Sequence, residues 1–306
     1  MTAPLSFLTS GDAGVTWGLI AAVGSLVEVL PAGTPFNLTV LDGGFPAHVC
    51  ARLADHASRR HGSAARLQFV PFRWPPHCRA PALEGSLLTY ARLFVADHIE
   101  DDFCVYFDTD IVFLENPAPL LDTARAQPVH PVWAAPNYPD ARFQHQIGRQ
   151  SAVLAAGTTP DELYFNAGFL VINIAEWRRR GALHTCLALA EQHQFISHDQ
   201  DALNVFFRRE WARLPSRWNH QLYERHDIPA DAALLHYSGR NKPWHCGYPA
   251  AARQPFVDAL AVAGWPGWRA KLNVRQYLRN SPLRPLLART RYSLRKAVGL
   301  SGTKPR

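Results

Sequence analysis

Three separated segments of this chain carry side chains that could do chemistry together. They are Phe107-Asp108-Thr109-Asp110, Tyr164-Phe165-Asn166-Ala167-Gly168, and the run from His236 through Gly239 and Lys242 to Trp244. The first offers two carboxylates and the last an imidazole and an ammonium. Together they could hold a divalent cation against a diphosphate. A diphosphate clamped in that way is a leaving group, so the chemistry suggested is group transfer.

Asp108 and Asp110 follow the apolar run Phe103–Phe107. In an extended segment, residues two apart point to the same side, and ligands of open α/β sheets collect at the C-terminal ends of strands. Two like charges beside an apolar strand are costly unless something positive sits between them. The alternative is a solvated turn with Asp110 capping something local. The apolar flanks Val105-Tyr106-Phe107 and Ile111-Val112-Phe113 favour the cation site. His236 follows another apolar run, and a neutral imidazole suits Mn2+ better than Mg2+. Gly239 allows close backbone approach to a ligand, and Lys242 can place a point charge on phosphate oxygens. Taken singly, His236 also reads as a core residue and Lys242 as a surface charge.

Between these segments, Asn166 has a carboxamide that can both donate to and accept from sugar hydroxyls, or it can simply begin a strand. In His198-Asp199-Gln200-Asp201, one aspartate suits a helix cap, while Asp199 and Gln200 could meet a substrate. Arg92, in Thr89-Tyr90-Ala91-Arg92-Leu93, could pair with a carboxylate or contact a ligand.

These residues need a frame, and the chain supplies one. Apolar runs at Leu5–Thr9, Phe36–Leu41, Arg66–Val70, Phe103–Phe107, Val132–Ala135, Gly168–Asn173 and Leu234–Tyr237 read as strands. Trp17–Leu30, Pro46–Arg60, Leu87–His98, Leu183–Gln194 and Asp201–Arg208 read as helices. The alternation predicts an α/β domain with a parallel sheet and helices on both faces. Asn173 and Glu176 have the spacing of a helix-capping pair. The stretches 71–81 and 137–162 read as loops, the second long enough to be a lid.

Length and composition suit one large α/β domain: 306 residues, 47% hydrophobic and 19% charged. The net charge of +7 belongs to an appendage. Eleven of the 32 Lys and Arg lie from Arg269 onward and no acidic residue follows Asp258, which leaves 21 basic against 25 acidic residues in the body. The expected organisation is therefore a domain over 1–260 and a basic, aromatic-bearing helical tail over 261–306. With Trp265, Trp268, Tyr277 and Tyr292 among its cations, the tail suits an anionic bilayer surface; a solvated tail is the alternative. A nucleic-acid-binding protein acting through the tail is a competing class, but nucleic acid is not the expected partner because the basic residues stop at the body. The five scattered cysteines lack zinc-ligand spacing and are expected to be reduced thiols. No secretory leader is expected, since the first basic residue is Arg52.

In order and spacing, Val40–Gly44, Tyr90–Leu93, Phe107–Asp110, Tyr164–Asn173 with Trp177-Arg178, Asp199–Asn204 and His236–Trp244 resemble glycosyltransferase family 8, and within it the bacterial lipooligosaccharide and lipopolysaccharide galactosyl- and glucosyltransferases. The resemblance runs from about residue 5 to residue 250. It implies a GT-A fold, Rossmann-like, and a retaining transfer of galactose or glucose from a UDP-hexose donor to a saccharide or glycolipid acceptor. It implies Mn2+, with Mg2+ as the alternative, held by Asp108, Asp110 and His236. It implies that Gly239 and Lys242 touch the diphosphate, that Asn166, Asp199 and Gln200 face the donor sugar with Arg92 nearby, and that Asp12 meets the uracil edge. Gln200 or Asp199 would stabilise the developing cation or form a short-lived adduct. The chain departs from the family in one place: Val15 stands where a tyrosine usually stacks on uracil. The expected setting is the cytoplasmic face of a plasma membrane, in surface-glycan synthesis. A relative that binds a nucleotide sugar without turnover is the remaining alternative.

Overall fold

The computed structural model describes residues 4–75, 79–80, 87–138, 142–147, 157–193, 195–223 and 226–272. In chain order the elements are β1 (Leu5–Gly11), α1 (Thr16–Val29), β2 (Phe36–Asp42), α2 (Ala47–His61), β3 (Ala65–Pro71), α3 (Val95–His98), β4 (Phe103–Phe107), β5 (Ile111–Phe113), α4 (Ala118–Ala126), β6 (Val132–Pro136), α5 (Phe143–Ile147), β7 (Phe165–Asn173), α6 (Ile174–Arg179), α7 (Ala182–Gln192), α8 (His198–Phe206), β8 (Ala212–Arg213), β9 (His220–Gln221), β10 (Leu234–His236) and α9 (Ala250–Val262).

A seven-stranded sheet has the order β3-β2-β1-β4-β7-β6-β8. The sheet is parallel, as the alternation predicts, except at one strand: β7 runs antiparallel to both β4 and β6, while the other pairings are parallel. That reversal brings the start of β7 to the exit of β4, so Phe107 pairs with Phe169. A second sheet, β5-β10-β9, branches off immediately after Asp110. Its register sets His236 opposite Ile111.

The period-two pattern of the strands divides the core. Phe7, Val105 and Phe107 face a cluster closed by α1, α2, α4 and α9. Leu8, Cys104 and Tyr106 face a second cluster closed by α6, α7 and α8. Ten consecutive residues of α1, Gly18 to Val27, are buried; a helix apolar all round must be covered on every side. The segment 87–98, expected to be one α-helix, is instead a 3-10 helix over Leu88–Phe94 followed by a single α-turn. Five consecutive buried residues there, Tyr90 to Phe94, leave no solvent face for a 3.6-residue period to present. Asn173 caps α6 as its spacing predicts, accepting the Glu176 N–H at 3.1 Å.

Beyond α9 the described chain stays on the body. The Arg52 guanidinium lies 4.4 Å over the Trp265 ring. Trp268 packs against Trp17 at 5.6 Å and Phe256 at 5.4 Å between ring centroids. Two of the tail's four aromatics are therefore packed here, while Tyr277, Tyr292 and most of the basic residues lie outside the described residues. A chain ending at residue 260 should melt a few degrees below one ending at 272, because partly buried tryptophans carry large packing surfaces; differential scanning fluorimetry of the two truncations checks this. The four described cysteines, Cys50, Cys104, Cys186 and Cys246, are free thiols.

Candidate functional site

The chain leaves β4 at Phe107, turns through Asp108-Thr109-Asp110 and enters β5 at once. The Asp108 N–H donates to the Gly168 carbonyl at 2.8 Å, tying the turn to the start of β7. Asp108 Oδ1 accepts from Arg92 Nη2 at 2.8 Å and from the Tyr106 hydroxyl at 2.7 Å. The other side of the turn is fixed by the small sheet, where the Tyr237 N–H donates to the Asp110 carbonyl at 2.8 Å. His236 Nε2 lies 3.4 Å from Asp110 Oδ1. The Lys242 ammonium bonds to Asp110 Oδ2 and donates to the Tyr237 carbonyl. Burial would raise the Asp110 carboxyl, but the Lys242 ammonium outweighs it and holds that group well below the usual carboxylate range.

One ligand atom each from Asp108, Asp110 and His236 lies within 4.8 Å of the other two. Two carboxylates and an imidazole at that spacing fit a divalent cation, which would also relieve the repulsion of the two acids. The chain reaches this arrangement through a close approach at Gly168. A Cβ there would stand 2.3 Å from His236 Cε1 and 2.9 Å from its Nδ1. Gly168→Ala should therefore displace the imidazole and weaken divalent-metal binding by about 10-fold, which calorimetric titration with Mn2+ would read.

Arg92 is buried and bridges two acids, with Nη2 on Asp108 and Nε 2.7 Å from Asp199 Oδ2. It also donates to the Ala167 carbonyl and lies 4.7 Å over the Tyr106 ring. Of the two readings open for Arg92, the structure makes it a partner of carboxylates. Asp199 is buried, its second oxygen accepting from the Thr89 hydroxyl. Asp201 takes the structural place near the start of α8, accepting from the Ser197 N–H at 2.8 Å and from the Tyr164 hydroxyl at 2.6 Å. Gln200 accepts from the Ala167 N–H at 2.9 Å and donates to Tyr164 at 3.2 Å. Asn166 accepts at Oδ1 from the Gly168 N–H and from Asn219 Nδ2, both at 2.9 Å, and donates to Asn137 at 3.1 Å. Both lone pairs of its oxygen are thus engaged within the protein, which leaves one N–H of its carboxamide for a ligand.

Burial pushes the Asp199 carboxyl up to about 6 against the pull of Arg92. Above that value Arg92 holds two charged carboxylates; below it Asp199 takes a proton and Arg92 loses one of its anchors. Activity is expected to fall as the pH drops through about 6, and Asp199→Asn, neutral at every pH, should flatten that limb. A profile of kcat/KM from about pH 5 to 8 would check it.

Asp12 opens the first strand-to-helix turn at the same edge of the sheet, accepting the Gly14 N–H at 2.8 Å. Trp17, two residues beyond Val15 in the chain, packs on Trp268. Gly239 has φ +86°, and a Cβ there would meet the Tyr223 ring at 2.9 Å, so that position excludes a side chain both by conformation and by space. Tyr106, Thr89, Asn137 and Asn219 were not singled out by the sequence. For Thr89, Asn137 and Asn219 the signal is only contact across the fold, between partners far apart along the chain; Tyr106 bonds Asp108 two residues on, but reads in sequence as one more apolar strand residue.

Comparison with known proteins agrees with this geometry. The family model for glycosyl transferase family 8 matches residues 17–246. General stress protein A of Bacillus subtilis is 25% identical over 266 residues, covering 79% of this chain and 87% of that protein. The lipopolysaccharide 1,3-galactosyltransferase of Salmonella typhimurium is 28% identical over 191 residues, 58% of this chain and 55% of that protein, so the match spans about half the length of that relative. The solved structure of the galactosyltransferase LgtC in complex with donor and acceptor sugar analogues superposes with a TM-score of 0.67 at 25% identity, covering 90% of this chain and 99% of that one. The mixed sheet, the Asp108/Asp110/His236 cluster and the match over most of the chain lead to one assignment: the chain belongs to glycosyl transferase family 8 and has the GT-A fold.

Proposed function

We propose that this protein is a retaining, Mn2+-dependent hexosyltransferase that moves galactose or glucose from a UDP-sugar to a saccharide or glycolipid acceptor in lipopolysaccharide or other surface-glycan synthesis. The observation that carries the reading is the convergence of Asp108, Asp110 and His236 within 4.8 Å at the exit of β4. The oxygen and imidazole donors suit Mn2+ over Mg2+. When bound, the cation would neutralise charge on the departing diphosphate. Lys242 shares Asp110 with that site and is the side chain within reach to add a second positive charge. Gly239, bare and close to Lys242 in the chain, leaves room for phosphate oxygens at the backbone. Gln200, in the first turn of α8, and Asn166, at the start of β7, keep amide hydrogens that can meet hydroxyls of the donor sugar. Asp199 supports the same wall by holding Arg92, and Asp12 is the carboxylate at the edge where a base would lie. The Salmonella relative is a galactosyltransferase and the LgtC complex holds donor and acceptor sugar analogues, which supports a sugar donor and a sugar acceptor here.

The test is a panel of nucleotide sugars with Mn2+, scored for transfer to oligosaccharide acceptors and for slow hydrolysis without acceptor. UDP-galactose or UDP-glucose should be consumed, and chelation by EDTA should stop it. Consumption that is indifferent to EDTA would refute the metal-dependent reading, and binding of UDP-sugars with no turnover of any donor would favour a binding protein.

The same proposal extends to place. Residues 1–260 would form the transferase domain, and the basic segment beyond it would attach the enzyme to the cytoplasmic face of an anionic membrane, each cation near the surface contributing roughly 1 kcal/mol. Because Trp265 and Trp268 pack on the body, the truncation that tests attachment should end at residue 272. It should stay active and lose binding to phosphatidylserine vesicles; undiminished binding would remove the tail from the proposal.

A further inference from the structure

We propose that Asn219 is a positioning residue that fixes the tautomer of His236, so that Nε2 faces the two aspartates as a bare lone pair. Asn219 is buried at the end of the 3-10 turn Ser216–Asn219, immediately before β9.

The chain of bonds starts from a group with a single possible role. The Gly168 backbone N–H can only donate. It donates to Asn166 Oδ1 at 2.9 Å, which fixes that end of the Asn166 amide as the oxygen. The Asn219 amide reaches the same oxygen at 2.9 Å, so it presents its Nδ2 there. Its other end is then Oδ1, an acceptor, and that end lies 2.9 Å from His236 Nδ1. Nδ1 must carry the hydrogen. The other end of the Asn166 amide agrees, since its Nδ2 donates to Asn137 Oδ1 at 3.1 Å. The donations from the β7 backbone amide and from the imidazole through Asn219 converge on Asn166 Oδ1, and every group in the network has one consistent role.

The consequence lies on the opposite side of the ring. A neutral imidazole protonated at Nδ1 has a bare Nε2, and here Nε2 stands 3.4 Å from Asp110 Oδ1. Lone pair faces lone pair, an arrangement that a cation between them satisfies. Without the Asn219 acceptor the hydrogen would move to Nε2 and bond to Asp110, occupying the direction a metal ligand needs. The close contact with Gly168 keeps the ring from turning to avoid this choice.

The inference rests on the metal reading in one of its two measurements only. The first uses full-length 15N-labelled protein with chelator and no added metal, read where the ring nitrogens themselves show one protonated and one bare nitrogen. Long-range proton–nitrogen spectra report which nitrogen of each ring carries the hydrogen, and His236 is assigned by the signals lost in His236→Gln. The wild type and Asn219→Asp, which keeps an acceptor for Nδ1, should show Nδ1–H; Asn219→Leu should show Nε2–H. The second titrates Mn2+ alone by calorimetry. Asn219→Leu should bind about 10–100-fold more weakly, and Asn219→Asp within about threefold of wild type. A merely structural role would weaken both variants without moving the ring hydrogen. Nε2–H in the wild type, Nδ1–H retained in Asn219→Leu, or an unchanged Mn2+ affinity after the hydrogen has moved would each overturn the proposal. If Asn219→Leu does not fold, the wild type and Asn219→Asp still decide the tautomer. Failure of the wild type to bind Mn2+ would strike the metal reading, while the position of the ring hydrogen would still decide the tautomer.

Discussion

Asp110→Ala should cost at least about 100-fold in kcat, the scale for removing one group that stabilises developing charge, and should abolish stimulation by Mn2+. Asp110 is the residue through which the cluster is joined: one oxygen faces His236 and the other holds Lys242. Its removal leaves Asp108, on the turn after β4, and His236, on β10, as two ligands with nothing between them, and it frees Lys242 from its position. The fold should survive. The Lys242 side chain is about one-fifth exposed and can return its charge to water, and the backbone bond from Tyr237 to the Asp110 carbonyl does not depend on the side chain. Far-ultraviolet circular dichroism should therefore match the wild type, while UDP-sugar consumption with Mn2+ collapses. Asp110→Asn is the stricter variant, since it keeps shape and loses only charge; it should lose most of the activity too. Activity of either variant within about threefold of wild type would return Asp108-Thr109-Asp110 to the solvated-turn reading.

The same turn marks how far the sequence could be read. Phe103–Phe107 was legible as a buried strand because five apolar residues in a row have little other use, and the acids after it were legible as a site because a surface turn rarely sits between two buried runs. Their convergence has a different cause from the one that spacing suggests. Asp108 and Asp110 do not project side by side from an extended strand; they lie on a turn, and the branch of β5 into a second sheet with β10 brings His236 to them. A three-residue strand carries too little pattern to announce such a branch. The reversal of β7 was hidden for a related reason. Its nine residues are buried throughout, and a strand buried on both faces reads alike in either direction. Gly168 and Asn166 were visible as members of a motif, but their partners were not. Asn219, in a turn between two-residue strands, has no periodicity around it and acquires its role only from what lies 2.9 Å away in space.

Arg92→Met should destabilise the protein by about 3–5 kcal/mol, the cost of leaving buried charge without its partner. Arg92 could be read from sequence either as an ion-pair member or as a ligand contact, and these readings predict different outcomes. A ligand contact at the wall of an open site would lower activity and leave the melting temperature almost unchanged. The structure puts the guanidinium between Asp108 and Asp199, with a further bond to Ala167 and the Tyr106 ring beneath it. Removing it uncovers two acids at once, and one of them, Asp199, is already pushed up to about 6 by burial. Asp199 can relieve part of the cost by taking a proton. The loss should therefore be smaller at about pH 5.5 than at about pH 8, because the protonated Asp199 no longer needs the partner that the variant lacks. Arg92→Lys keeps the charge but cannot reach both acids from one planar fork, so it should recover part of the stability and little of the activity. Denaturant unfolding of the three proteins at about pH 5.5 and pH 8 would separate the cases. A variant without Arg92 that unfolds at the wild-type midpoint at both values would mean that the bridge between Asp108 and Asp199 does not hold the wall of the site.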